Sequence, residues 1–309
     1  MIFGFSLILN IYLIALSGLG GSSAGRSTTI VEGDWREKIA VIPITGTIME
    51  RNAEQFDRRM TAVEKDPYIK AIVLEIDTPG GSVSASDEIH HRLARFKKEH
   101  NIPIVVAQGG LATSGGYYVS CGADYIFAQP TTLTGNIGVL MPRFNLSKLM
   151  DKWGIEETTI ASTGATFKNA GSMFKPEKPE ETAYIQSLAD SAFVQFKKVI
   201  ADGRTGKLKE KVDVLANGKV YTAPEAVKLG LIDQIGYAPD AYNWAQTKAG
   251  LKNPEVVRFQ ESPSLLELFT GESHTPQGGV TINGINIVAD KDALTELTTP
   301  RMMYLWRGE

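Results

Sequence analysis

A serine hydroxyl lies among small residues at Ser114, in the run ATSGGYY at positions 112–118. The apolar residues 104–107 before it predict a buried strand that ends over residues 108–110, and the residues after it predict the start of a helix. Glycines let a substrate backbone approach closely, and a helix N-terminus stabilises developing negative charge. The position therefore suits a nucleophile, although a plain turn remains the alternative.

A second glycine-rich turn, DTPGGS at positions 77–82, directly follows another apolar run. Ligands bind at the carboxyl edge of a parallel sheet, so we expect this turn and Ser114 to face each other there. The backbone N–H groups of Gly80 or Gly81 and of Gly115 would then form an oxyanion hole. A plain connection between strand and helix is the other interpretation of the turn.

A serine nucleophile needs a base, and the usual histidine is poorly placed in this chain. Ser114 does not lie in a G-x-S-x-G elbow, and the four histidines occur in polar or irregular stretches that predict surface positions. A lysine shielded from water can lose its proton near neutral pH and then deprotonate a serine hydroxyl. We therefore expect a lysine base, which the residue types alone do not identify.

Composition limits the classes of function. The 309 residues, 43% of them hydrophobic, can bury a substantial core. A formal net charge of −3 provides no basic field for nucleic acid, so we expect no nucleic-acid partner. The single cysteine, Cys121, excludes an intramolecular disulfide and a multi-cysteine metal site, and the histidines lack the i, i+4 spacing of a helical metal pair. We expect metal-free chemistry without a cofactor.

The elements that must position these residues follow an alternating pattern. Strands buried on both faces are predicted by near-continuous apolar runs at residues 39–44, 71–76 and 104–107. Between the second and third runs, apolar residues at i, i+4 and i+7 predict an amphipathic helix over residues 84–100. The order strand, helix, strand implies a right-handed parallel unit and hence an α/β fold. Further helices are predicted over residues 181–200 and 223–229.

The N-terminal residues 1–19 predict a transmembrane anchor or signal segment. Residues 2–19 carry no charge and are mostly apolar, and at about 1.5 Å per residue they nearly span a hydrocarbon core. A retained anchor is favoured, but the small residues Ser22-Ser23-Ala24 leave cleavage open. The rest of the chain divides into a flexible linker over residues 20–38, a globular domain over residues 39–245 and a C-terminal tail over residues 246–309.

Several motifs, taken together and in order over about residues 39–242, resemble the signal peptide peptidase A family. They are DTPGG at 77–81, ATSGGYY at 112–118, AD at 123–124, TLTGNIGV at 132–139, FKNAGS at 167–172, and GKVY at 218–221 followed by Ala226 and GLID at 230–233. The resemblance implies a Clp protease/crotonase-like fold and a Ser-Lys dyad that hydrolyses peptide bonds. It makes Ser114 the nucleophile and Lys168 the general base. The same resemblance places Gly80, Gly81 and Gly115 in the oxyanion hole.

Asn136 departs from the family pattern, in which this position is often a serine that helps to orient the dyad lysine. An amide presents both a carbonyl acceptor and an NH₂ donor, so the role could pass to its carbonyl. A neutral replacement is the favoured interpretation, and an altered activity is a further alternative.

The resemblance also implies substrates, location and assembly. The expected substrates are hydrophobic peptides such as remnant signal peptides, and the expected protein is single-pass in the cell membrane with its catalytic domain on the extracytoplasmic side. A homo-oligomeric ring is implied, in which serine and lysine come from neighbouring subunits. A crotonase-type acyl-CoA enzyme and an inactive membrane scaffold are the rival functions, and the intact pair of Ser114 and Lys168 argues against both.

Overall fold

The computed structural model describes residues 26–260, 279–282, 285–288, 302–306 and 308. The predicted membrane segment, residues 1–19, lies outside this part of the chain. Within the described part, no helix is both long and apolar enough to cross a bilayer.

The described elements alternate between strands and helices, which confirms the predicted α/β class. The strands are β1 (Arg26–Val31), β2 (Asp34–Thr45), β3 (Ile69–Thr78), β4 (Gly80–Ser82), β5 (Ile104–Thr113), β6 (Tyr125–Ala128), β7 (Leu133–Gly135), β8 (Val220–Thr222), β9 (Gln234–Ile235), β10 (Pro254–Gln260), β11 (Gly279–Ile282), β12 (Ile285–Val288) and β13 (Met303–Leu305). The helices are α1 (Glu50–Lys65), α2 (Val83–His100), α3 (Gly115–Ser120), α4 (Ser147–Trp153), α5 (Pro179–Gly203), α6 (Val212–Leu215), α7 (Ala223–Leu229) and α8 (Ala238–Ala249).

A nine-stranded sheet runs through the described residues in the order β1-β10-β2-β3-β5-β6-β9, with β7 paired to β5 and β8 paired to β7. Strands β2, β3, β5 and β6 pair in parallel. Alternate side chains of β2 enter two different buried clusters: Ile42 joins the cluster that contains Phe56 of α1, and Val41 joins the cluster that contains Ala241 of α8. The near-continuous apolar runs are therefore buried on both faces, as predicted.

Strand β5 is longer than the sequence predicts, because it continues past residues 108–110 to Thr113. Ala112 pairs with Thr78 of β3 on one side and with Thr134 of β7 on the other. Strand β7 thus supplies hydrogen-bond partners for the distal part of β5, and the local sequence cannot reveal such a partner. The extension carries the chain directly to Ser114.

The sheet extends past the predicted limits of the globular domain on both sides. Strand β1 and the start of β2 occupy the described part of the predicted linker, and α8 crosses the predicted boundary at residue 245. Strand β10, from the predicted tail, lies between β1 and β2. Its Val256 and Val257 are buried in opposite clusters. Strand β10 is therefore part of the core, because its alternate side chains cover both faces of the sheet.

Candidate active site

Ser114 lies at the turn where β5 ends and α3 begins, as its sequence context predicts. Its backbone has φ 52° and ψ −111°, a left-handed conformation that costs free energy for a residue with a Cβ. Two hydrogen bonds hold it there: the Ser114 N–H donates to Gly135 O at 2.7 Å, and the Tyr118 N–H donates to Ser114 O at 2.8 Å. Ser114 is 1% exposed, and its Oγ has no hydrogen-bond partner. The hydroxyl is therefore not engaged in holding the fold together.

The glycine turn meets the start of α3, as expected for the carboxyl edge of the sheet. A Cβ on Gly80 would lie 2.6 Å from Gly115 N, and a Cβ on Gly81 would lie 1.9 Å from Ile48 O, so the backbones approach too closely for any side chain. The Gly80 N–H donates to Thr78 Oγ1 at 3.1 Å. The Gly80 N–H is therefore already hydrogen-bonded. The N–H groups of Gly81 and Gly115 remain as candidate donors to an oxyanion.

The tyrosines of α3 and the cysteine that directly follows it, Cys121, are packing residues. Tyr117 is buried, and its hydroxyl donates to Leu231 O at 2.8 Å. Tyr118 is buried against the same core. Burial raises the pKa of the Cys121 thiol to about 12, so this thiol is protonated at neutral pH and is a poor nucleophile. The Cys121 thiol therefore does not compete with Ser114 as the nucleophile.

Lys168 lies in a turn of the segment between β7 and α5. It is exposed and lines a cleft of about 600 Å³ together with Arg143, Phe144 and Glu157, among others, but Ser114 is not part of that lining. Since Ser114 Oγ has no hydrogen-bond partner, no hydrogen bond joins it to the lysine. Within one chain, the structure does not bring the candidate base to the candidate nucleophile.

A carboxylate that the motifs do not indicate holds the segment that carries Lys168. Glu157 accepts hydrogen bonds from Asn169 Nδ2 at 3.1 Å, from Ser172 Oγ at 2.8 Å and from Thr159 Oγ1 at 2.8 Å. These hydrogen bonds, led by that from Asn169, lower the pKa of the Glu157 carboxyl. The polar residues of the FKNAGS motif therefore fix the turn that presents Lys168. The sequence indicates this turn only through the FKNAGS motif. Glu157 lies outside the motif, so sequence reasoning missed it.

Asn136 directly follows the glycine that accepts the hydrogen bond from Ser114. Its φ is 52°, its N–H donates to Lys219 O at 2.9 Å, and its side-chain Nδ2 donates to Gly218 O at 2.7 Å. The amide nitrogen is thus occupied with the GKVY motif. The carbonyl is the part of the amide that suits the predicted orienting role.

An extended segment that the motifs do not indicate lies against the glycine strand. Strand β13 pairs antiparallel with β4, and Tyr304 is opposite Gly81. The Val83 N–H donates to Met302 O at 3.1 Å, and the Trp306 N–H donates to Pro79 O at 2.9 Å. On the other side of the segment, the backbones of Met303 and Leu140 exchange two hydrogen bonds, at 2.9 and 3.1 Å. In the sequence, the apolar run MMYLW at positions 302–306 was the available signal for this segment.

Two family profiles match the sequence. The profile described as Peptidase family S49 matches residues 96–252, a range that includes both Ser114 and Lys168. The profile described as Clp protease matches residues 26–133.

Curated relatives are similar over most of the chain. A protein of Enterococcus faecium named for signal peptide peptidase SppA is 32% identical over 304 residues, which cover 93% of this chain and 86% of the relative. A Synechocystis protein named as a protease is 36% identical over 76% of this chain and 84% of the relative. The chloroplastic serine protease SPPA of Arabidopsis thaliana is 31% identical over 86% of this chain and 41% of the relative.

Proposed function

Because the chain belongs to peptidase family S49, the family of signal peptide peptidase A, and is a serine peptidase, we propose that it is a membrane-associated endopeptidase with a Ser114-Lys168 dyad. The proposed substrates are hydrophobic peptide segments, among them remnant signal peptides. The crotonase-type acyl-CoA enzyme is disfavoured, since that chemistry does not need Lys168 and the chain belongs to a peptidase family.

The observation that carries the proposal is the state of the Ser114 hydroxyl. A buried hydroxyl normally makes a hydrogen bond, and one without a partner requires an explanation such as a catalytic role. Ser114 Oγ has none, and its backbone conformation is strained. Strain of this kind concentrates at functional sites. The glycine turn beside it supports acyl transfer, because it can present N–H groups to an oxyanion.

In the proposed mechanism, Lys168 removes the proton from Ser114 Oγ, and the oxygen attacks the carbonyl carbon of the peptide bond. The N–H groups of Gly81 and Gly115 would stabilise the oxyanion of the tetrahedral intermediate. The C–N bond then breaks, the proton passes to the leaving amine, and an ester on Ser114 remains. Water hydrolyses this ester and restores the hydroxyl.

The dyad is proposed to form between neighbouring subunits of a homo-oligomeric ring. Lys168 is exposed, and it belongs to a segment that also exposes large apolar side chains, including Trp153 at 73% and Ile160 at 94%. Exposed apolar surface of this kind marks interaction sites. We take the occupant to be a second copy of this chain, because Ser114 lacks the base that such a copy would supply. Lys168 of one subunit would then meet Ser114 of the next.

Membrane association is proposed from residues 1–19, whose apolar composition suits a single-pass anchor. The catalytic domain is proposed to lie on the extracytoplasmic side. Anchoring would hold the peptidase beside the bilayer, where hydrophobic peptides partition.

Full-length protein in detergent tests the proposal with a serine-directed acylating probe and a quenched hydrophobic peptide. Ser114→Ala should lose labelling, and hydrolysis should fall by at least about a thousandfold, because the attacking oxygen is absent. Ser162→Ala, at an exposed serine of the segment that carries Lys168, is the matched control and should keep both. Wild-type labelling of the Ser114→Ala protein would show that the nucleophile lies elsewhere.

A further inference from the structure

Four apolar and aromatic side chains form an exposed surface at the amino ends of the parallel strands. All four are between 36% and 53% exposed. Val31 pairs with Val256 and Asp34 pairs with Pro254, so the end of β1 and the start of β2 both lie beside the start of β10. We call these four side chains the Trp35 surface: they are Ile30 and Val31 in β1, Trp35 in β2, and Tyr68 just before β3.

The two aromatic rings of this surface pack on each other, and a basic side chain lies near each ring. Trp35 and Tyr68 meet edge to face with their ring centroids 4.9 Å apart. The Arg36 guanidinium lies 5.2 Å from the centroid of the Trp35 ring, and the Lys38 ammonium lies 5.9 Å from the centroid of the Tyr68 ring. Tryptophan and tyrosine are enriched where proteins meet the headgroups of a bilayer, and basic side chains reach the same region. The composition of the surface therefore suits a lipid interface.

The chain connects this surface closely to the predicted membrane anchor. Strand β1 begins at Arg26, and only residues 20–25 separate it from the apolar segment that ends at residue 19. A chain of this length spans at most about 25 Å. Among the described strands, β1 is also at the edge of the sheet, and residues 27–31 are all exposed. The anchor would therefore tether the domain through the strand that carries part of the Trp35 surface.

We infer that the Trp35 surface docks the catalytic domain on the headgroup region of the bilayer. The inference rests on the proposed membrane association and goes beyond it, because it names the side chains that face the lipid. A bilayer suits this surface better than a second copy of the chain does, since the short tether keeps the lipid within reach. The headgroup region is hydrated, unlike the hydrocarbon core, so the outer edge of β1 can hydrogen-bond to water there.

Docking would also orient the candidate active site. Ser114 follows the carboxyl end of β5, whereas the Trp35 surface lies at the amino ends of β2 and β3. Strand β2 has 12 residues and is about 40 Å long at 3.3 Å per residue. The carboxyl ends of the strands, and Ser114 with them, would point away from the headgroups. A substrate would then have to extend out of the bilayer to reach Ser114.

A fluorescent label tests which end of the strands faces the lipid. Cys121 is buried, so a maleimide dye should react with a cysteine introduced by Glu32→Cys, beside the surface, or by Thr47→Cys, just beyond the other end of β2. Each labelled full-length protein is reconstituted into phosphatidylcholine vesicles that carry a nitroxide on the lipid headgroup. We expect the nitroxide to quench the label at residue 32 several-fold more strongly than the label at residue 47. Equal quenching, or stronger quenching at residue 47, would overturn the inference.

Removal of the aromatic side chains tests whether the surface itself contacts the lipid. Trp35→Ser combined with Tyr68→Ser should lower the quenching of the label at residue 32 several-fold, because the anchor alone would leave the domain free to move away. Tyr237→Ser, at an exposed tyrosine before α8, is the matched control and should leave the quenching unchanged. Circular dichroism checks that both proteins are folded. Unchanged quenching in the folded double variant would show that these rings do not dock the domain.

Sedimentation of the same vesicles separates the inference from the proposed membrane association. Full-length protein that sediments with the vesicles, but whose two labels are quenched equally, would refute the docking surface and leave the anchor standing. Protein that stays in the supernatant would refute the membrane association and the inference together. Labels at residue 32 that quench one another in detergent, and are not quenched by the nitroxide in vesicles, would show that a second copy covers the surface, which also overturns the inference.

Discussion

Ser114 and Gly135 are joined by a hydrogen bond of 2.7 Å from the Ser114 N–H to the Gly135 carbonyl. The bond ties the turn between β5 and α3 to β7, the strand that ends just before Asn136. Since Ser114 has a left-handed φ of 52°, its conformation depends on such tertiary contacts and not on local propensity. A residue of another strand thus holds the candidate nucleophile in place.

Gly135→Ala should disturb this arrangement. Gly135 has φ 78°, and a Cβ there would lie 2.6 Å from Tyr221 Cδ2, so β7 must shift. Misplacement of a catalytic group by about 1 Å can cost about 100-fold, and we expect kcat to fall by roughly 10- to 100-fold. Gly154→Ala is the matched control, because φ is 65° there and the space is open. It should lower the free energy of unfolding by about 1 kcal/mol and leave kcat intact. An equal loss of kcat in both variants would contradict the role of Gly135.

Lys168→Arg should abolish hydrolysis, because a guanidinium stays protonated at any working pH and cannot accept a proton. Steady-state hydrolysis rates measure the effect. Lys152→Arg, at an exposed lysine of the same segment, is the control and should keep the wild-type rate. Full activity in Lys168→Arg would remove this lysine from the mechanism.

Mixed assemblies test whether the dyad forms between subunits. Ser114→Ala and Lys168→Ala proteins should each be inactive, while a ring reconstituted from both should regain part of the wild-type rate. Some interfaces of the mixed ring would join an intact Ser114 to an intact Lys168. Native mass spectrometry must show that the subunits have mixed. An inactive mixed ring would place the dyad within one subunit.

Replacement of Asn136 tests whether its carbonyl orients the lysine. Asn136→Ser should stay within about 3-fold of the wild-type kcat, and Asn136→Leu should fall by at least about 10-fold, because leucine offers no acceptor. Both variants share the free-energy cost of a left-handed φ of 52° at this position. The difference between their kcat values therefore reports the effect of the polar group. Equal kcat values would mean that the position serves packing alone.

Asp233, in the GLID motif, forms an ion pair with a buried arginine that should stabilise the fold. Its carboxylate accepts from Arg204 Nη1 at 2.7 Å, and Arg204 is 1% exposed. Burial alone would raise the pKa of Asp233, but the hydrogen bond from Arg204 and its charge hold this pKa below its usual value. Asp233→Asn leaves a buried guanidinium without its counter-ion, so the free energy of unfolding should fall by about 3–5 kcal/mol. Urea unfolding measures the change.

The pH dependence of this contribution has a defined sign. Because the folded-state pKa of Asp233 is depressed, the contribution is complete above the unfolded-state value of about 3.9 and is lost as the pH falls below it. The stability difference between wild type and Asp233→Asn should therefore shrink in acid. Asp213→Asn, at a side chain that is 78% exposed beside Lys197, is the control. It should change the free energy of unfolding little at any pH, because an exposed ion pair contributes little to stability.

The sequence alone predicts those strands and helices whose apolar pattern lies within the element itself. The apolar runs at residues 39–44 and 71–76 lie within β2 and β3, and the amphipathic period of residues 84–100 lies within α2. A strand buried on both faces must be apolar throughout, and a helix on one face must be amphipathic, so these patterns have few alternatives. The turn at Ser114 could also be predicted, because its small residues separate a strand from a helix.

Only the tertiary structure decided which distant segments pair. The places of strands β10 and β13 beside β2 and β4 depend on hydrogen bonds to residues far away in the sequence. The position of Lys168 is also a property of the tertiary structure. The FKNAGS motif indicates this lysine, but the cleft that it lines within one chain does not include Ser114. A strand is stable only with a partner for its N–H and C=O groups, and no local pattern names that partner. The pairing of residues 302–306 with the glycine strand could therefore be seen only once the chain was folded.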